Sequence, residues 1–313
     1  MLLFISGRLS AVDLFDLRII PDFASGTVQV DGIIVSNSKK EDITSRRNNI
    51  SGLMSRWLGS SEVTVEIASK SQTFKVNDGE FSGNMPVDST ASFSVKVFCN
   101  QELLHQEDFS FQQKPQYLLV SDIDDTILKS DVTSKIQLVY NSLLVRYENR
   151  EAIPGTAKLY QTFKTASNTC GLPFFVYLSS SPAFLSRPIK TFLDKNDFPD
   201  GIVILKKSLT SGDHENHKSG WLDQLKKRFP DLPIMLLGDS GEQDPEIYSG
   251  FLQSCQDKKR LKAIIIHEIT GEEERLQQLQ KFAQEAKKEG VPFLIWNSAS
   301  ELTLELKKLG LLP

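Results

Sequence analysis

Three aspartates, Asp122, Asp124 and Asp125, follow directly on an apolar run in "YLLVSDIDDTILKSDV", residues 117–132. Carboxylates repel one another and are costly to desolvate, so a group of them at the end of a buried strand implies a cation or a reaction that they serve. Other polar clusters follow apolar runs in the same way. Ser179-Ser180-Ser181-Pro182 closes "PFFVYL", Lys206 and Lys207 close "GIVIL" with His217-Lys218 beyond them, and "GDSGEQDPE" brings Asp239 and Asp244. Carboxylates from separate strands that converge at one edge form a hard oxygen cage suited to Mg2+. A lysine and a hydroxyl beside them suit a phosphate.

Such convergence needs a particular scaffold. From Gln116 onward, "YLLVSD", "PFFVYLSS", "GIVIL", "PIMLLGD", "AIIIHEI" and "VPFLIW" are short continuous apolar runs, the pattern of strands covered on both faces. Amphipathic stretches separate them, among them "HKSGWLDQLKKRF", "PEIYSGFLQSCQDKKR" and "GEEERLQQLQKFAQEAKKEG". The alternation predicts an α/β fold, a doubly wound parallel sheet over 114–313, whose ligands sit at the carboxyl ends of the strands.

Residues 1–113 read differently. Val63, Val65 and Ile67 alternate with polar neighbours, as do Phe93, Val95 and Val97, and Phe109 and Phe111. A period of two predicts half-buried antiparallel strands, and Asp78-Gly79 supplies a hairpin turn. A small β-sandwich domain is expected, with "NNISGLMSRWLGSS" as a helical or irregular insertion. Its bland reading is a structural or docking module.

The chain has 313 residues and a formal net charge of −4, so no overall basic field draws it to nucleic acid. Cys99, Cys170 and Cys255 are odd in number and widely spaced, which argues against a disulfide framework or a zinc site and for a reducing compartment. The opening "MLLFISGRLSAVD" lacks the basic start and apolar length of a signal peptide, and no apolar run approaches the ~20 residues that span a bilayer. The reading is a cytoplasmic protein, peripheral at membranes in one version, with export by a non-classical route and oligomeric state both open.

Asp-x-Asp-x-Thr after a strand, a Ser ending the next, a Lys, and Gly-Asp-Ser followed by Asp resemble, in this order, the four motifs of haloacid-dehalogenase-type (HAD-like) phosphatases. Within that superfamily "DIDDTILKSDV", "YLSSSP", "HKSGWL" and "GDSGEQDPEIY" resemble the App1-like phosphatidate phosphatase family over roughly residues 117–300. The resemblance implies that Asp122 is the nucleophile, forming an aspartyl-phosphate, and that Asp124 protonates the leaving alkoxide and then deprotonates water. It also implies a Mg2+ held by Asp122, the main-chain carbonyl of Asp124 and Asp239, with Asp244 behind them as support. Ser179 donates to a phosphoryl oxygen, Lys218 balances the negative charge, and Thr126, Ser180 and Ser181 line the substrate side. Asp125, on the opposite side of the chain, caps the following turn or braces the loop.

The sequence departs from the family at Ser180 and Ala183, in place of Asn and Trp, and at His267, in place of Arg. These positions are expected at the substrate mouth. The stretches from Asp131 to Pro154-Gly155 and from Ser181 to His217 are too short for a large cap, so the cap is minimal and the site open to a bulky substrate. The implied activity is Mg2+-dependent hydrolysis of phosphatidate to diacylglycerol and phosphate, with a phospholipid as partner. Alternatives are another phosphomonoester (a phosphoprotein, nucleotide or sugar phosphate) or a module that binds phospholipid or a partner without hydrolysis. "HENH" at 214–217 lacks the i, i+4 His pair of a helical zinc motif, and "LSSSPAF" lacks the glycines of a nucleophile elbow. "QDKKRLK" at 256–262 reads either as a lipid contact or as a solvated helix end.

Overall fold

The protein is described by a computed structural model covering residues 12–36, 61–88, 92–111, 115–129, 150–166, 170–206 and 216–313. The first residues, the stretch 37–60 with all but the last residue of the expected insertion, Asp131, Lys207 and His214 lie outside the described residues. The chain divides into two compact units, Met1–Ser110 and Phe111–Pro313.

The first unit is antiparallel throughout. One sheet has the order β1-β2-β5, from β1 (Val12–Asp22), β2 (Thr27–Ser36) and β5 (Glu80–Pro86). The other has the order β4-β3-β6-β7, from β3 (Ser61–Ile67), β4 (Lys70–Val76), β6 (Ser92–Cys99) and β7 (Glu102–Ser110). The expected alternation holds: Val63, Val65 and Ile67 of β3 and Val95 and Val97 of β6 are buried, while Phe93 stacks across the ladder on Phe109 with ring centroids 6.0 Å apart. Asp78 and Gly79 both take positive φ, 48° and 79°, between Asn77 and Glu80, which exchange backbone hydrogen bonds. This is a two-residue primed turn, and Asp-Gly is favoured there because both positions need left-handed backbone. The turn carries the chain from one sheet to the other.

The second unit is a six-stranded parallel sheet of order β10-β9-β8-β11-β12-β13. Its strands are β8 (Tyr117–Ser121), β9 (Pro173–Pro182), β10 (Ile202–Lys206), β11 (Ile234–Asp239), β12 (Leu261–His267) and β13 (Phe293–Trp296). Every residue of β8, β10 and β11 is buried, which is why these segments are continuous apolar runs and not alternating ones. The connecting helices are α1 (Thr156–Thr165), α2 (Ser186–Lys195), α3 (His217–Arg228), α4 (Asp244–Ser254), α5 (Glu273–Lys288) and α6 (Ala299–Lys308). Helices α3, α4 and α5 pack in a row, and α6 packs against α1.

The chain runs outward from β8 through β9 to β10, then returns to β11 on the other side of β8 and runs outward again. The strand order therefore reverses between β8 and β11, the place where an open parallel sheet leaves a crevice at its carboxyl edge. The helix expected to run from Pro245 into "QDKKR" stops at Ser254. Lys258 Nζ donates to the carbonyl of Leu252 at 2.7 Å, and Arg260 donates to the carbonyls of Phe229 and Pro230 at the end of α3. Two cations of this basic run are thus spent on helix carboxyl termini. Cys99, Cys170 and Cys255 are free and buried.

Candidate active site

The carboxyl edge at the strand reversal collects the polar residues. Asp122 follows β8 and its N–H donates to the Leu237 carbonyl of β11 at 2.8 Å, so the ladder holds it until the chain turns away. The turn is closed by main-chain bonds: Ile127 and Leu128 donate to the Ile123 carbonyl, and Asp125, at φ 53°, donates to Leu128 at 2.8 Å. The carbonyl of Asp125 accepts from His267 Nδ1 at 2.6 Å. A carbonyl cannot donate, so Nδ1 carries the proton, and the imidazole is stacked on Trp296 with ring centroids 4.1 Å apart. Asp125 braces the loop through its backbone. His267, expected at the substrate mouth, has its ring committed to that brace, and Ala183, expected there too, is buried.

Asp239 ends β11. Its Oδ1 accepts from the N–H groups of Gly241 and Glu242 at 2.7 and 3.1 Å, an Asx-type turn that redirects the chain into α4. That helix opens on Asp244-Pro245, an acid and a proline in the first turn, where the dipole and the orphan N–H groups favour both. Gly238 is required underneath: a Cβ there would lie 2.4 Å from Asp244 Oδ2. Lys218 is the second residue of α3, where the helix dipole disfavours a cation. Carboxylates compensate, with Nζ 2.8 Å from Asp122 Oδ1, 2.5 Å from Asp244 Oδ1 and 3.9 Å from Glu242 Oε2.

Asp122, Asp239 and Asp244 are all buried, and one oxygen of each lies within 4.8 Å of the others. Asp244, expected behind the metal ligands, stands level with the other two. Among the described residues neither Asp239 Oδ2 nor Asp244 Oδ2 has a hydrogen-bond partner. Burial pushes Asp122 well above the ordinary carboxylate range; Lys218 opposes this, and Asp244 and Asp239 add to it. Burial and Asp244 push Asp239 up to about 7. Burial alone would lower Lys218, but Asp122 and Asp244 hold it well above the ordinary lysine value. Three buried carboxylates crowd together, two of them paired with one buried ammonium, and among the described residues Asp239 Oδ2 and Asp244 Oδ2 have no donor. The donor set fits a divalent cation of the Mg2+ kind.

Asp124 turns elsewhere. Its Oδ2 accepts from Ser181 Oγ at 2.8 Å and from Ser179 Oγ at 3.3 Å, while Oδ1 lies 3.6 Å from Arg150 Nη1. Ser179 Oγ in turn accepts from the Ser181 N–H at 2.9 Å. Thr126 Oγ1 reaches Asp122 Oδ2 at 3.5 Å, the outer limit of a hydrogen bond. Ser180 is half-buried beside them, and Lys206 is buried at the end of β10.

Several residues here were not singled out from sequence. Arg150 stands in none of the motifs that mark the site. Tyr160 of α1 bonds Ser121 Oγ at 2.6 Å, and that hydroxyl donates to the Asp122 carbonyl at 2.5 Å, a buried brace behind the loop. Arg275 of α5 grips the chain between Asp239 and α4. Only Arg275 had a usable signal: a cation in the acidic first turn of a helix, against the dipole.

Residues 117–268 match the family model described as "Phosphatidate phosphatase APP1, catalytic domain". A curated relative, phosphatidate phosphatase APP1 of Saccharomyces cerevisiae, is 31% identical over 137 residues, which are 42% of this chain and 22% of the yeast protein. The match thus spans about a fifth of that relative's length. Among solved structures, a glycosyl hydrolase family 2 member from Bacteroides cellulosilyticus aligns at TM-score 0.31 and 10% identity, covering 91% of this chain and 40% of its own. A siderophore interacting protein from Acinetobacter baumannii aligns at TM-score 0.26 and 10% identity, covering 87% and 97%. Scores this low bear on neither fold nor function.

Proposed function

Because residues 117–268 belong to the App1-like family of catalytic domains, we propose that the protein is a Mg2+-dependent phosphatidate phosphatase that yields diacylglycerol and phosphate. The observation that carries the reading is the cluster of three buried carboxylates, two of them paired with the buried Lys218, with two carboxylate oxygens that no donor satisfies among the described residues. The catalytic domain is taken as HAD-like, residues 114–313, and residues 1–113 as a β-sandwich domain ahead of it.

Asp122 Oδ attacks phosphorus; the new Oδ–P bond forms as the bond to the glycerol oxygen breaks, and Asp124 gives that oxygen its proton. Asp124 then takes a proton from water, whose oxygen attacks the aspartyl-phosphate and regenerates Asp122. Lys218 keeps Asp122 oriented and offsets the charge that nucleophile and phosphoryl group bring together. Ser179, Ser181 and Arg150 fix the Asp124 carboxylate, and Ser179 with Thr126, Ser180 and Ser181 lines the path of the phosphoryl group. Asp122, Asp239 and the Asp124 carbonyl would hold the cation, with Asp244 beside them. Once bound, it neutralises charge on the transferring group.

A lipid substrate is supported by the name of the yeast relative and by the short connections around the site, which leave no room for a large cap. Peripheral contact with a bilayer follows from such a substrate; among the described residues no helix is long and apolar enough to cross one. The test is phosphate release from phosphatidate in mixed micelles, beside soluble phosphomonoesters, with Mg2+ and with EDTA. Metal-dependent release that prefers the lipid and falls at least ~10^3-fold in Asp122→Asn is expected. Full activity in that variant would sink the mechanism. Release from soluble esters alone would leave the mechanism and overturn the substrate.

A further inference from the structure

Arg275 lies in none of the motifs that carry the proposed chemistry. It is the third residue of α5, beside Glu273 and Glu274, at the end of the helix where a cation is disfavoured. Helix stability does not account for it. Its contacts do: Nε donates to the carbonyl of Ser240 at 2.7 Å, Nη2 donates to the carbonyl of Glu242 at 2.7 Å, and Nη1 and Nη2 form a fork on the Glu246 carboxylate. Nη1 also donates to Gln278 Oε1 at 2.6 Å. Only 14% of the side chain is exposed.

These acceptors bracket two of the three clustered carboxylates. Ser240 and Glu242 lie in the short turn between Asp239 and Asp244, and Glu246 is in the first turn of α4, two residues past Asp244. One guanidinium therefore spans the end of β11, the turn and the start of α4. Ser240 is fixed independently from the other side, by its N–H on the His267 carbonyl at 2.8 Å and by the Ile269 N–H on its hydroxyl at 2.9 Å. Carboxylates as close as Asp239 and Asp244 repel each other, and this turn must hold them together before any cation arrives.

We propose that Arg275 is a positioning residue for divalent-cation binding, fixing the turn between Asp239 and Asp244 so that their carboxylates converge with Asp122. The proposal rests on the metal-dependent reading of the site. A planar fork with several fixed donors meets two carbonyls and a carboxylate at once, whereas a lysine ammonium on its flexible stem cannot. Groups that orient metal ligands typically set affinity by about 10–100-fold.

The experiment is titration calorimetry of MgCl2 into the full-length, metal-free chain, for wild type, Arg275→Gln, Arg275→Lys and Glu246→Gln, with melting temperatures in EDTA and in Mg2+. Both Arg275 variants should bind Mg2+ about 10–100-fold more weakly, and phosphate release should largely recover at saturating Mg2+. Glu246→Gln keeps the carbonyl contacts and should lose less. Arg275→Lys keeps charge and stem, so it answers the question where the Gln variant does not fold. Unchanged Mg2+ affinity in folded Arg275 variants, with melting lowered equally in EDTA and Mg2+, would overturn the proposal alone and leave Arg275 as a helix-docking contact. Wild type that binds no Mg2+ would overturn the metal-dependent reading, and this proposal with it.

Discussion

Asp31 in the first unit and Asp239 in the second are both buried carboxylates on strands, and they are treated in opposite ways. Asp31 accepts from Gln29 Nε2 through both oxygens, each at 3.0 Å, and from Ser82 Oγ at 2.5 Å, with Arg18 opposite it in the strand register. Asp239 has backbone donors on one oxygen and, among the described residues, none on the other, with Asp122 and Asp244 crowded against it. A carboxylate whose neighbours are all donors is part of the scaffold. One whose neighbours are carboxylates is held ready for something that is not protein.

Removing the ammonium from the second group should have the largest effect on this contrast. Lys218→Met leaves carboxylates buried without their cation and is expected to cost about 3–5 kcal/mol in denaturant unfolding. Asp31→Asn, by contrast, loses part of one hydrogen-bond set and should cost about 1–3 kcal/mol with phosphate release unchanged. Equal losses in the two variants would erase the distinction. Cation addition should act next: at ~100-fold excess over its dissociation constant, Mg2+ adds about 2.7 kcal/mol of stability. The shift should be present in Asp31→Asn and absent in Asp239→Asn.

The smallest effect concerns pH. Burial holds the His267 imidazole below its ordinary value of 6.5, against the opposing pull of the Asp125 carbonyl and the charges of Asp125 and Glu268. A histidine with a lowered folded-state pKa binds protons later than the unfolded chain does. Its contribution to stability is full above 6.5 and is lost as pH falls through that value toward the folded one. In His267→Asn, whose amide can still donate to the Asp125 carbonyl, melting temperature should depend less on pH as it falls below 6.5. An unchanged pH dependence would assign the acid sensitivity to other groups.

The parallel sheet was legible because its strands are buried on both faces and so read as unbroken apolar runs. The four polar clusters were legible because they end those runs. In the first unit the alternation of β3 and β6 was clear, but β1 was not: a register shift between Leu14 and Asp16 breaks its period, and buried Asp16 and Arg18 occupy positions where apolar residues are expected. Asp244 was visible as a carboxylate, but its rank with Asp122 and Asp239 depends on the missing Cβ of Gly238, a packing fact. Arg275 carried one mark, a cation in an acidic first turn, but two of its acceptors are the carbonyls of Ser240 and Glu242, which leave no trace in a sequence, so its reach to the turn could not be read. The role of His267 escaped for the same reason.

The strand order has a temporal consequence. Asp122 directly follows β8 in the middle of the sheet, the serines that hold Asp124 come from β9 on one flank, and Asp239 comes from β11 on the other. During synthesis the first half of this unit can pair β8 with β9 and β9 with β10 while one side of β8 stays open, with no ladder partner for the Asp122 N–H. The acidic cluster cannot gather until β11 closes that gap and α3 supplies Lys218. Its electrostatic strain thereby arises only once strands on both sides of β8 exist to bear it.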